Sequence, residues 1–97
     1  MSIDLGKMQE ELIAARNELA KIKNARDTRL NYALAEARVA ALREGLPVNA
    51  TFAAYKYVYK CLQFVPDLAV SNIDTAEIAK LVDKAIAGYK SRYAKQS

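Results

Sequence analysis

Residues 5–47 read LGKMQEELIAARNELAKIKNARDTRLNYALAEARVAALREGLP. No Gly or Pro interrupts this stretch between Lys7 and Glu44, and apolar residues recur at steps of three and four: Leu5, Met8, Leu12, Ala15, Leu19 and Ile22. That rhythm is an a/d seam of about three heptads, the pattern of one helix meeting another. Lys7–Glu11 and Lys23–Asp27 are opposite charges four apart, each worth a few tenths of a kcal/mol. Arg26 and Arg29 then occupy the next two seam positions, and the rhythm resumes about four residues out of phase at Leu30, Ala33, Leu34, Ala37 and Ala41. A four-residue shift unwinds a supercoil without breaking a helix. One helix over about residues 3–44 is expected, with a bend or break near Asn24–Thr28 as the alternative. Gly45 and Pro47 stop it, the first as a left-handed cap and the second as a residue that cannot continue a helix.

Working outward, a second helix is expected over about residues 50–65, with Asn49 as its N-cap. Phe52, Tyr55, Tyr59 and Leu62 fall on one side, extended by Ala54, Val58, Cys61 and Val65. Lys56, Lys60 and Gln63 fall opposite. The alternation of Tyr55, Tyr57 and Tyr59 with Lys56, Val58 and Lys60 also suits a strand. No other segment offers that strand a partner, and an isolated strand is unstable. Pro66 closes the helix. A third helix is expected over about residues 74–95. Asp74 and Glu77 have capping-box spacing, and Ile73 and Ile78 are placed as a hydrophobic staple. Its core face is Ile78, Leu81, Val82, Ala85, Ile86, Tyr89 and Tyr93. Gly88 in mid-helix is either a close crossing with another backbone or a tolerated weakness.

The fold class expected is all-α, as a single domain over residues 1–97. One long N-terminal helix carries two shorter helices packed back against it, a three-helix bundle or helical hairpin with coiled-coil character. A helix of that length spans about 60 Å, more than two shorter helices can cover. Part of its seam is therefore left for another chain.

The 97 residues fit one core, and much of the 53% hydrophobic content is Ala, so that core is thin. The net charge of +4 comes from 15 basic and 11 acidic residues. The first 45 residues carry 8 basic and 7 acidic side chains, and the remainder 7 and 4. After Asp83 only Lys84, Lys90, Arg92 and Lys95 follow, a basic tip. The lone Cys61 excludes an internal disulfide and suggests a reducing compartment. With no signal-peptide pattern and no run long enough to span a membrane, a cytoplasmic location away from membranes is expected.

The sequence has no His, which removes the commonest general base and metal ligand. One Cys without His makes no ordinary zinc site. Cys61, set among Val58, Leu62 and Val65, reads as a buried structural thiol. Gly6, Gly45 and Gly88 are too far apart for a phosphate-cradling loop. No enzyme activity is expected, and no catalytic residue, cofactor or metal is assigned.

Tyrosine with lysine or arginine occurs twice, in residues 55–60 and 89–95. Tyr55, Tyr59, Tyr89 and Tyr93 have the spacing of core residues. Tyr57 falls toward the polar side, beside Lys56 and Lys60, where a partner can dock. Arg26 and Arg29, with Asn31 and Tyr32, form a second candidate surface: a solvated midpoint of the helix, or a polar interruption of the seam that fixes register, with arginines suited to carboxylate or phosphate recognition. Lys90 and Arg92 complete the candidate partner-binding set.

The function expected is a small, non-enzymatic protein–protein interaction module: a helical inhibitor or adaptor, or a self-assembling subunit. Its size and simplicity suit a phage-type accessory protein that modulates a host enzyme. The partner expected is another protein, including an enzyme that processes nucleic acid, or further copies of the chain as a homo-oligomer. The alternative is direct nucleic-acid binding through the basic, Tyr-rich C-terminal half. It is disfavoured by the modest charge and by the absence of helix-turn-helix spacing.

Overall fold

The computed structural model describes residues 5–96, with side chains to residue 94. Residues 3–4 of the expected first helix and the Lys95 side chain lie outside what is described. Among the described residues there are four helices and no strand: α1 (Leu5–Arg43), α2 (Val48–Leu62), α3 (Asp67–Ser71) and α4 (Thr75–Gln96). The molecule is an all-α helical bundle in which a long N-terminal helix packs against shorter ones. It measures 77 × 22 × 17 Å.

α1 runs unbroken through Asn24–Thr28, so the shift in seam phase is absorbed without a break. Its end is a Schellman motif. Gly45 has φ of 64°, its N–H donates to the Leu42 carbonyl at 3.1 Å, and the Leu46 N–H reaches back to Ala41 at 2.9 Å. Left-handed φ is the conformation that glycine adopts without a Cβ penalty.

α2 begins at Val48 with Pro47 as its N-cap, rather than at the expected Asn49. Pro47 stands extended at φ −69° and has no N–H to satisfy, while its carbonyl accepts from the Ala50 N–H at 2.9 Å. The buried face of α2 is Ala50, Thr51, Ala54, Val58 and Leu62. It meets the α1 face that carries Ala33, Ala37, Ala40 and Ala41. At about 100° per residue, a face centred on Ala54 and Val58 turns positions 52 and 59 away from α1. Phe52 and Tyr59, expected inside, are exposed for that reason, and Tyr55 is half-buried at the edge. Cys61, expected buried, is exposed as well.

The connection between residues 65 and 74 holds the short helix α3, whose Val70 is wholly buried. α4 starts at the expected cap: Asp74 Oδ1 accepts from the Ala76 N–H at 3.1 Å. Ile78, Val82 and Ile86 are buried, with Ile73, Leu81, Ala85 and Tyr89 packed at the margin and Tyr93 exposed. The C-terminal end of α2 lies at Arg26, and Lys90 of α4 lies at Glu44 of α1. α4 therefore runs with α1, and α2 runs against both.

Coverage of α1 is one-sided along its length. Every residue from Leu5 to Lys21 is exposed, and burial begins at Ala25. The N-terminal part of α1 is an arm of about 25 Å that projects beyond the bundle.

Candidate interaction surfaces

The arm carries the seam uncovered from Leu5 to Leu19. Leu5 is 68% exposed, Met8 53%, Leu12 52% and Leu19 52%. Leu5, Met8 and Leu12 line a shallow apolar hollow of about 340 Å³. The seam lies on the same side of α1 as the covered residues Leu30, Ala33, Ala37 and Ala41, so it points along the line of the bundle. Where arm and bundle meet, Glu18, Lys21, Ile22 and Ala25 form a corner with Ser71 and Asn72, enclosing about 790 Å³. With Leu5, Leu12 and Leu19 at a, the flanking positions are Arg16 and Lys23 on one side and Glu11 and Glu18 on the other.

Arg26 and Arg29 sit just past that corner, and their donors are spent inside the chain. Arg26 donates to the carbonyl oxygens of Leu62 and Val65 and pairs with Asp67 at 3.1 Å. Arg29 donates to the carbonyls of Ser71 at 3.0 Å and Ile73 at 3.2 Å. The end of α2 and the end of α3 each leave carbonyls without helical partners, and the two guanidinium groups satisfy them. A sequence cannot show this, because the acceptors are backbone atoms more than thirty residues away and leave no mark on residue type.

The remaining candidates divide between two sides of α4. Lys90 pairs with Glu44 at 2.6 Å. The lysine's hydrogen bond, then its charge, holds the Glu44 carboxyl below the usual carboxylate range. Lys56, Tyr57, Lys60 and Arg92 gather instead in a groove of about 340 Å³ between α2 and α4, with Lys84 joining them. Sequence reasoning missed Lys84 as part of this group, although its spacing of eight residues from Arg92 puts both on one helix face. Tyr57 is half-buried, its ring against the core margin. Ala53, Ala85 and Gly88 complete the lining, which contains no carboxylate. Gly88 is not forced by a crossing: a Cβ there meets only the Arg92 Nη1 atom, at 3.8 Å. The Gly costs α4 about 1 kcal/mol relative to Ala and leaves the groove open.

Elsewhere, Tyr32 donates to Glu36 Oε1 at 3.3 Å. Burial and then the Glu36 charge raise its hydroxyl pKa. Among the described residues no three His, Cys, Asp or Glu side chains converge as metal ligands, and no helix is long and apolar enough to cross a membrane. Comparison with known protein families, curated proteins and solved structures finds no match for this chain.

Proposed function

We propose that this protein is a non-enzymatic interaction module whose α1 arm binds a helix of another protein. The observation that carries this reading is the uncovered a/d seam from Leu5 to Leu19. An isolated amphipathic helix of this length is marginal in water. Here the nucleus is already supplied by the bundled half of α1, so the arm stands ready as a helix. Its exposed leucines gain about 25 cal/mol per Å² when a partner covers them.

The bundle and the charges beside the seam together favour a foreign helix over a second copy. A parallel copy would set Glu11 and Glu18 against the other chain's Arg16 and Lys23, a favourable match. Its α1 would then run along the face that α2 and α3 already occupy beyond Ala25. Exposed pairs are worth only about 0.2–1 kcal/mol each, too little to displace a packed core. An antiparallel copy avoids the bundle but brings Glu11 near Glu18 of the other chain. The helix that fits ends at Ser71 and Asn72, with basic side chains beside Glu11 and Glu18 and acidic ones beside Arg16 and Lys23. An inhibitor or an adaptor would each use such a surface.

The test is sedimentation followed by affinity capture from the native source, comparing wild type with a Leu12→Glu, Leu19→Glu variant. The expected result is a 10.8 kDa monomer and a partner held by wild type but lost by the variant, with unchanged bundle melting. Equal capture by both proteins, or a stable multiple of the monomer mass, would overturn the reading.

A further inference from the structure

We propose that the groove between α2 and α4 is a second docking site, shaped for an acidic amphipathic helix of a protein partner. It is distinct from the seam of α1 and stands on other observations.

The first is charge without internal use. Lys56 and Lys60 form one rim, from α2, and Lys84 and Arg92 the other, from α4. None of the four makes an ion pair among the described residues, whereas Lys90 is held by Glu44 and Arg26 by Asp67. Four cations around a lining with no carboxylate create a local positive potential. That potential is relieved by an anionic partner.

The second is the floor. Between the two basic rims lie Ala53, Ala85, Gly88 and the half-buried Tyr57. Small residues let another backbone come close, and a Tyr ring offers apolar area with a polar tip. A phosphodiester chain would pair with the four cations but leave the small apolar floor of Ala53, Ala85 and Gly88 uncovered. A helix with a narrow stripe of small apolar residues, flanked on both sides by Asp or Glu, meets floor and rims together. Tyr and Arg are also the residue types enriched at such contacts.

The third is Gly88. No atom of the bundle needs the space that its missing side chain leaves, since the nearest neighbour is the flexible end of Arg92. A Cβ at this position meets no core atom and stands in the groove lining, which separates occupancy of the groove from stability of the fold.

The experiment titrates the full chain with a synthetic helical peptide of about five turns, carrying an Ala–Leu stripe flanked by Glu. The same peptide with Lys for Glu, and single-stranded DNA, serve as comparisons. The expected result is binding of the acidic peptide with backbone amide shifts centred on residues 53–60 and 84–92, weakening as salt rises. Lys60→Glu with Lys84→Glu should weaken it roughly ten- to thirty-fold. Gly88→Leu should weaken it with helicity retained. Because Lys60 and Lys84 are exposed, the charge variant folds normally, and circular dichroism checks this. Shifts outside the groove, equal binding of the Lys peptide, or tighter binding of DNA through the same residues would each overturn the proposal. Loss of binding in the Leu12→Glu, Leu19→Glu variant would assign the peptide to the seam and overturn it as well.

Discussion

Arg26 donates from Nη1 to the backbone carbonyl of Leu62, thirty-six residues along the chain. This single contact joins the point where α1 enters the bundle to the point where α2 ends. The second guanidinium nitrogen extends the clamp to the Val65 carbonyl and Asp67. The bonds are charge-assisted and partly shielded, since the Arg26 side chain is 25% exposed.

Arg26→Ala is therefore expected to lower unfolding stability by about 1.5–3 kcal/mol. Arg26→Lys should recover little of it, because an ammonium cannot hold several fixed acceptors with one planar fork. Denaturant titration of the three proteins checks this, and full rescue by Lys would contradict the clamp.

The arm and the bundle should respond very unequally to truncation of apolar side chains. Ile78 is wholly buried, and Ile78→Ala is expected to cost about 2–5 kcal/mol. Leu12 is half exposed on the arm, and Leu12→Ala should stay within about 0.5 kcal/mol of wild type. Thermal melts of the free protein measure both. A large loss for Leu12→Ala would mean that the arm is covered in the free protein.

Acid should loosen the tie between the α1 end and α4. The Lys90 hydrogen bond, followed by its charge, lowers the Glu44 pKa in the folded chain. A lowered folded value means that the contribution is complete above the unfolded carboxylate pKa, about 4.3. It is lost as pH falls through the folded value. Glu44→Gln should remove that part of the acid dependence and lower stability at neutral pH by the same small amount, small because the pair is exposed. Denaturation midpoints across the acid range, wild type against variant, read this directly.

Gly88→Ala is expected to stabilise the fold by about 0.5–1 kcal/mol. A Cβ finds no close neighbour there, so helix propensity acts unopposed. A loss of stability in denaturant titration would show a steric demand that the present packing does not contain.

Much of the architecture is legible along the chain. The unbroken seam, the Gly45–Pro47 stop and the Asp74 cap are local features, and local physics fixes where helices begin and end. The all-α class, the continuity of α1 and the core face of α4 follow from them. The short helix α3 was less visible, since five residues are too few for a period to register.

The candidate surfaces were only partly legible. Periodicity identified which residues share a face, so Lys56, Tyr57 and Lys60 could be grouped. It could not say which helix faces which, so Lys84 and Arg92 joined that group only once α2 and α4 were packed antiparallel. Lys90 stands about 200° around the helix from Arg92, and on that other side it meets Glu44 of α1.

By itself, then, the sequence determined the three longer helices, the stop at Gly45, the cap at Asp74 and a seam on α1 longer than its companions can cover. The tertiary structure decided which side chains that seam, the groove and the clamp would use. Helix formation depends on neighbours three and four residues apart, which the sequence records. The spending of Arg26 and Arg29 on distant carbonyls, and the exposure of Phe52, Tyr59 and Cys61, depend on which face of each helix the packing covers. That choice is made between elements far apart along the chain, and no local pattern encodes it.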